Sequence, residues 1–177
     1  MTGHESSAIP SITIRDILED EQRNLRSIVG ELKGVSVSGS TGDDKTVTEL
    51  SELARRLEGQ WGARVELALR ASEAGVSSPN IEGVRDLLQE VVSNAVRHGH
   101  ASVVRVEIFP EKRGTAIIVN DNGSGFPFRG YYDHGALMRN RLGPWTLRER
   151  VATMGGSLAV WSTDSGSRLE IQLPAKV

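Results

Sequence analysis

The sequence predicts an α+β domain, a two-layer sandwich in which a mixed sheet is covered on one face by helices. Three observations lead there. Segments with apolar residues at helical spacing alternate with β-rich segments. The strands mostly arrive as antiparallel pairs with helices between them. The chain has 177 residues, 38% hydrophobic and 25% charged, which suffices for one packed core plus an extra element.

Residues 1–10 read as a flexible polar tail, carrying His4 and Glu5 and lacking the apolar core of a signal peptide. Residues 11–34 read as an amphipathic helix. Ile14, Ile17, Leu18, Leu25, Ile28, Val29 and Leu32 recur at mostly helical spacing, charged residues fill the opposite face, and Gly34 is a stop. Such a stripe needs a partner, either the rest of the domain or a second copy, so a homodimer through residues 12–32 is an expectation. Residues 35–45 have linker composition.

Residues 46–177 then form the main domain. A short helix is predicted over 46–59 from Val47, Leu50, Leu53 and Leu57, and a strand over 65–69. A polar loop ends in Ser78-Pro79-Asn80, a helix start, and a long helix follows over 81–98. After Gly99 the period changes. Residues 103–109 and 115–119 flank a turn at Lys112-Arg113-Gly114 and read as a hairpin. Residues 126–144 show no period and read as a long loop. A helix over 145–154 stops at Gly155-Gly156, and 157–162 and 167–173 make a last hairpin around Asp164-Ser165-Gly166.

The bulk numbers exclude several classes. With no cysteine there are no disulfides, thiolate zinc sites or cysteine nucleophiles. A net charge of −2 gives no general attraction to nucleic acid. No apolar run approaches the roughly 20 residues of a membrane span. The expected location is the cytoplasm, with any sensing part outside this chain.

Three features carry chemistry. Glu90, Asn94 and Arg97/His98 share a helix face. A carboxylate there can orient or deprotonate an attacking group, an amide oxygen suits Mg²⁺, and a cation or ring N–H can meet phosphate. By itself the row also fits a solvent-facing polar stripe. Asp121-Asn122-Gly123-Ser124-Gly125 stands at a strand end, where glycines permit close approach and a carboxylate can accept from an exocyclic amine. By itself it also fits a tight turn. The long loop leading to Gly143-Pro144-Trp145 has the length of a lid, or of a surface excursion.

Their conjunction resembles the ATP-binding catalytic domain of sensor histidine kinases, within the ATPase superfamily that includes Hsp90, gyrase B and MutL proteins (the Bergerat, or GHKL, fold). Glu90-x-x-x-Asn94-Ala95-x-x-His98 looks like the family's N box, and Val119-Asn120-Asp121-Asn122-Gly123-Ser124-Gly125-Phe126 like its G1 box. Leu147-Arg148-Glu149-Arg150-Val151 with Met154-Gly155-Gly156 looks like the helix after its ATP lid, and Gly166-Ser167 through Leu173-Pro174 like its closing segment. The Arg-Glu-Arg-Val and N-box forms look most like the NarL-associated (NarX/DesK-like) branch. The resemblance covers about 46–175 and implies a lid at about 126–146.

The resemblance implies roles by position. Asn94 binds Mg²⁺ bridging the ATP phosphates. Glu90 orients or activates the attacking group, and His98 reaches the phosphates. Asp121 holds the adenine amino group over a floor shaped by Gly123 and Gly125. Gly143 is a lid glycine, and Ser167 replaces the usual threonine near the adenine, acting through a water. The expected partners are ATP, an acceptor-histidine segment and a response regulator.

Two departures stand out. The usual Gly-x-Gly-Leu of the lid is Arg141-Leu142-Gly143-Pro144 here, and proline removes an N–H that could face phosphate. The helix over 12–32 contains no acceptor histidine and resembles the second helix of the dimerisation hairpin, so the chain looks like the C-terminal part of a kinase. His100 and His134 read as surface residues, and Trp61, Trp145 and Trp161 as core. An ATP-binding regulatory module, or a serine-directed anti-sigma-factor kinase, shares the same boxes. An Hsp90- or MutL-type clamp is disfavoured by the short chain.

Overall fold

The computed structural model describes residues 36–38, 44–70, 81–111 and 114–175. These fall in one compact unit. The expected tail, the 12–32 helix, the Ser78-Pro79-Asn80 helix start and the Lys112-Arg113 turn lie outside the described residues.

In chain order the elements are β1 (Ser36–Ser38), α1 (Asp44–Trp61), β2 (Arg64–Arg70), α2 (Ile81–Arg97), β3 (Val103–Glu111), β4 (Gly114–Asp121), β5 (Gly130–Tyr132), α3 (His134–Asn140), α4 (Trp145–Thr153), β6 (Ser157–Thr163) and β7 (Gly166–Pro174). The strands make one seven-stranded sheet in the order β1-β2-β3-β4-β7-β6-β5. β1, β2 and β3 run parallel, and every other neighbouring pair is antiparallel. The mixed α+β sandwich is as the sequence predicts.

Register explains why one face is dry. Leu67, Val106, Val119, Leu169 and Val160 form a row across β2, β3, β4, β7 and β6. Leu69, Ile108, Ile117, Ile171 and Leu158 form the next. All ten are buried. Against this face pack α1 through Leu50, Leu53, Ala54 and Leu57, α2 through Val84, Leu87, Leu88, Val91 and Val92, and α4 through Leu147 and Val151. Each fully buried leucine or valine contributes about 1.5–3 kcal/mol relative to exposure. The Glu58 carboxylate of α1 accepts from Val65 N at 2.8 Å, which ties the end of the helix to the start of β2.

Several expectations change. The 35–45 linker contains β1, and α1 already begins at Asp44. Composition hid a strand whose backbone pairs with β2. The aperiodic segment 126–144 is not one loop. It contains β5 and α3, both too short to display a period. Asp133 caps α3 by accepting from Ala136 N at 2.7 Å, and Leu137 anchors the helix with no exposure. Phe126 stacks on Phe128 (centroids 5.3 Å), and Phe128 meets Tyr132 edge-on (4.9 Å). The expected lid therefore starts as a packed aromatic cluster. His134, expected on the surface, is half-buried, and its Nδ1 accepts from Leu158 N at 3.3 Å. Among the tryptophans only Trp61 packs against the core. Trp145 is 62% and Trp161 37% exposed, because one begins a helix and the other sits on the outer side of β6.

Arg141, where the resemblance expects a lid glycine, keeps the backbone a glycine would favour. It ends α3 at φ 53°, ψ 37°. A left-handed L-residue costs about 1 kcal/mol that glycine avoids. Arg141→Gly should stabilise the domain by ~0.5–1 kcal/mol, read as a higher urea midpoint at unchanged slope.

Candidate functional site

The third row of the same sheet face explains where the site lies. It reads Val65, Val104, Asp121, Ser167, Ser162 across β2, β3, β4, β7 and β6. On the last three strands the apolar face turns polar. Asp121 and Ser167 are register partners, and the Ser167 hydroxyl donates to Asp121 Oδ2. Asp121 Oδ1 accepts from Gly123 N at 2.8 Å. A carboxylate has about four lone-pair sites, so this one keeps capacity for a further donor. Ser162 Oγ accepts from Phe126 N at 2.8 Å and fixes the loop after β4.

α2 supplies the second wall. Asn94 Nδ2 donates to Glu90 Oε1 at 3.1 Å, one helical turn away, and the Thr146 hydroxyl of α4 donates to the same oxygen. Both bonds fall on Oε1. With its NH₂ given to Glu90, the Asn94 amide has a defined orientation that leaves Oδ1 to another partner. The two walls meet at Gly99, whose carbonyl accepts from Ser124 N at 2.7 Å. A Cβ on Gly123 would lie 2.4 Å from that same oxygen.

Between the walls is a cleft of about 720 Å³. Of the residues expected there, Asn94, His98, Asp121, Gly125, Gly143 and Ser167 line it. Glu90 and Gly123 do not. Glu90 is bonded to both Asn94 and Thr146, and Gly123 is buried against Gly99, so its small size serves backbone packing. Arg97 leaves the expected row, with its guanidinium 5.9 Å from the Trp61 ring centroid. Gly125 (φ +68°) and Gly143 (φ +79°) hold backbone conformations that favour glycine. Asn122 is structural, since its Oδ1 accepts from Ser102 N and Val103 N at 3.0 and 2.9 Å.

The structure adds residues that motif reading passed over. Trp145 and Thr146 line the cleft at the start of α4. Arg129 lines it too, pairing with Asp164 (Nε–Oδ1 2.6 Å) and donating to Phe126 O and Phe128 O. No local pattern marks Arg129. Ser162 carried a signal, because alternation along β6 puts this serine on the core-facing side. The phenol of Tyr131, outside the cleft, is pushed above its ordinary value by burial, then by Glu170 and Asp133. No group of three or more acidic or histidine side chains among the described residues could hold a metal by itself.

Residues 80–177 match the family described as histidine kinase-, DNA gyrase B- and HSP90-like ATPase. The chain belongs to that family. Among curated relatives, it is 25% identical over 167 residues to the sensor protein VraS of Staphylococcus epidermidis, covering 91% of this chain and 43% of VraS. It is 29% identical over 136 residues to the signal transduction histidine-protein kinase/phosphatase UhpB of Salmonella typhimurium, covering 76% of this chain and 26% of UhpB. The chain thus spans less than half the length of these relatives. The ATP binding domain of PrrB from Mycobacterium tuberculosis shares the fold with a TM-score of 0.51 and 24% identity, over 71% of this chain and 90% of that one. Every residue that lines the cleft falls within the matched stretch. No helix among the described residues is long and apolar enough to cross a membrane.

Proposed function

We propose that this chain is the ATP-binding catalytic part of a cytoplasmic sensor histidine kinase of the NarL-associated branch. It binds Mg-ATP and donates the γ-phosphoryl to a histidine supplied by another segment or chain, for onward transfer to a response regulator. The observation that carries this reading is the convergence of Asp121–Ser167, on the sheet, and Asn94, on α2, upon one cleft. Similarity to VraS and UhpB and the Arg148-Glu149-Arg150-Val151 run support the kinase assignment. In this reading residues 46–177 are the catalytic domain and 11–34 a dimerisation element.

Each side chain then has a task. Asp121 accepts from the adenine amino group, and Ser167 holds the carboxylate in place. Gly125 lets the loop after β4 pass close under the base. His98 and the α4 N-terminus, which has no side-chain cap, favour the negative phosphates. Mg²⁺ fits, because a hard ion that keeps several waters needs only one protein oxygen beside the phosphates, and Asn94 Oδ1 provides it. When bound, the ion supplies charge neutralisation. Glu90 orients Asn94 through Oε1, which leaves Oε2 to orient or deprotonate the attacking group.

Asn94→Ala should weaken Mg-ATP binding by roughly 10–100-fold while leaving magnesium-free ATP binding little changed. Calorimetry with and without the ion measures both, and equal affinity for Mg-ATP in wild type and variant would sink the metal assignment. A second reading, a regulatory module that binds ATP without transferring phosphate, is favoured by Pro144, which places a residue without N–H in the cleft wall.

A further inference from the structure

The cleft wall holds an exposed indole to which the roles above assign nothing. Trp145, the first residue of α4, lines the cleft while 62% of it faces solvent. An apolar side chain of that size gains free energy from any ligand that covers it.

Its placement is fixed from behind. Pro144 precedes it at φ −72°. One turn along α4, the Arg148 guanidinium carbon lies 5.3 Å from the Trp145 ring centroid. Arg148 is only 3% exposed. Its Nη1 donates to Leu137 O at 2.8 Å, and its Nε has no hydrogen-bond partner among the described residues. A buried guanidinium is expensive without compensating charge. Here the compensation comes from the carbonyl end of α3, where Leu142 N also donates to Leu137 O, and from the indole π face. One face of Trp145 is thereby occupied by a cation, so the rest of the ring is what a ligand in the cleft can meet. A cation behind an indole also draws back its π density, which softens the repulsion between the other face and an anion.

We infer that Trp145 is a nucleotide-contact residue that closes over the phosphate half of ATP, with Arg148 as its positioning residue. The inference rests on the nucleotide reading of the cleft. Its assignment to the phosphate half follows from its neighbours. Thr146, next in sequence, bonds Glu90, one turn from Asn94, whereas Asp121 and Ser167 form the base end.

The test uses the full chain in a Trp61→Phe, Trp161→Phe background, since neither residue lines the cleft. Trp145 is then the sole indole. Its emission should change saturably with Mg-ATP, with a midpoint matching the calorimetric Kd. Trp145→Ala should lose about tenfold in ATP affinity, ~1.4 kcal/mol, but less than about twofold for adenosine measured by competition. Arg148→Met should shift the Trp145 emission of the nucleotide-free protein and weaken ATP binding by about threefold or more. Unchanged ATP affinity in Trp145→Ala, with emission flat across a titration that calorimetry sees, would overturn the inference. Equal losses for ATP and adenosine would overturn the phosphate-half placement. If the wild-type chain gives no calorimetric binding, the nucleotide reading itself falls and this inference with it.

Discussion

Asp121→Ala is expected to abolish Mg-ATP binding, with a loss of at least ~100-fold, or roughly 3 kcal/mol. The substitution removes the acceptor for the base amine and also orphans two donors, Gly123 N and the Ser167 hydroxyl. Those donors belong to two buried residues, Gly123 in the loop after β4 and Ser167 on β7, where an unpaired polar group costs about 1–3 kcal/mol. Some of the effect must therefore appear as lost stability. Asp121→Asn separates the two contributions. Its amide oxygen can still accept from Gly123 N or from Ser167, but its NH₂ opposes a donor amine. It should fold close to normally and still lose most of the affinity, because a site built to accept a hydrogen bond rejects the mismatched partner strongly. Calorimetric titration beside a urea melt decides. ATP affinity retained in both variants would remove Asp121 from the base site.

The second large effect is on stability. Gly125→Ala should lower stability by more than about 3 kcal/mol, a fall in Tm on the order of 10 °C for a domain of this size. Gly125 holds φ +68°, which costs an L-residue about 1–2 kcal/mol. A Cβ there would also lie 2.1 Å from Thr163 O and 2.7 Å from Ser162 Oγ. The first is backbone of the β6 strand end and cannot swing aside. Ser162 Oγ is the acceptor that holds Phe126 N, so the loop after β4 and the aromatic cluster behind it should shift together. Gly143→Ala provides the contrast. It too has positive φ (+79°), but its nearest neighbour would be Leu137 Cδ2 at 3.6 Å, an ordinary contact, so only the backbone term applies. A thermal melt in which the two variants lose the same stability would refute the steric account.

Legibility in the sequence divides along one physical line. The long helices and the hairpins were readable because burial on one side imposes a period, and Leu50, Leu53 and Leu57 or Val84, Leu87, Leu88 and Val91 display it. β1, β5 and α3 were not readable, since three to seven residues cannot show a period and their stability comes from neighbours. Asn94, Asp121, Gly125 and Ser167 were legible as motif positions and do line one cleft.

What the sequence by itself determined is the fold class, the apolar faces of the long elements and the family to which the motifs point. Those properties reside in local order along the chain: period, turn chemistry and the spacing of short boxes. Only the tertiary structure decided which groups meet. Register alone sets Asp121 beside Ser167, which is 46 residues distant in the chain. Helix packing alone brings Thr146 to Glu90, and the α3–α4 junction alone buries Arg148 beneath an exposed Trp145. These contacts span elements far apart in sequence, so no local pattern records them. That is why Glu90 is held against Asn94 and Thr146, and why Trp145 stands on the cleft wall rather than in the core.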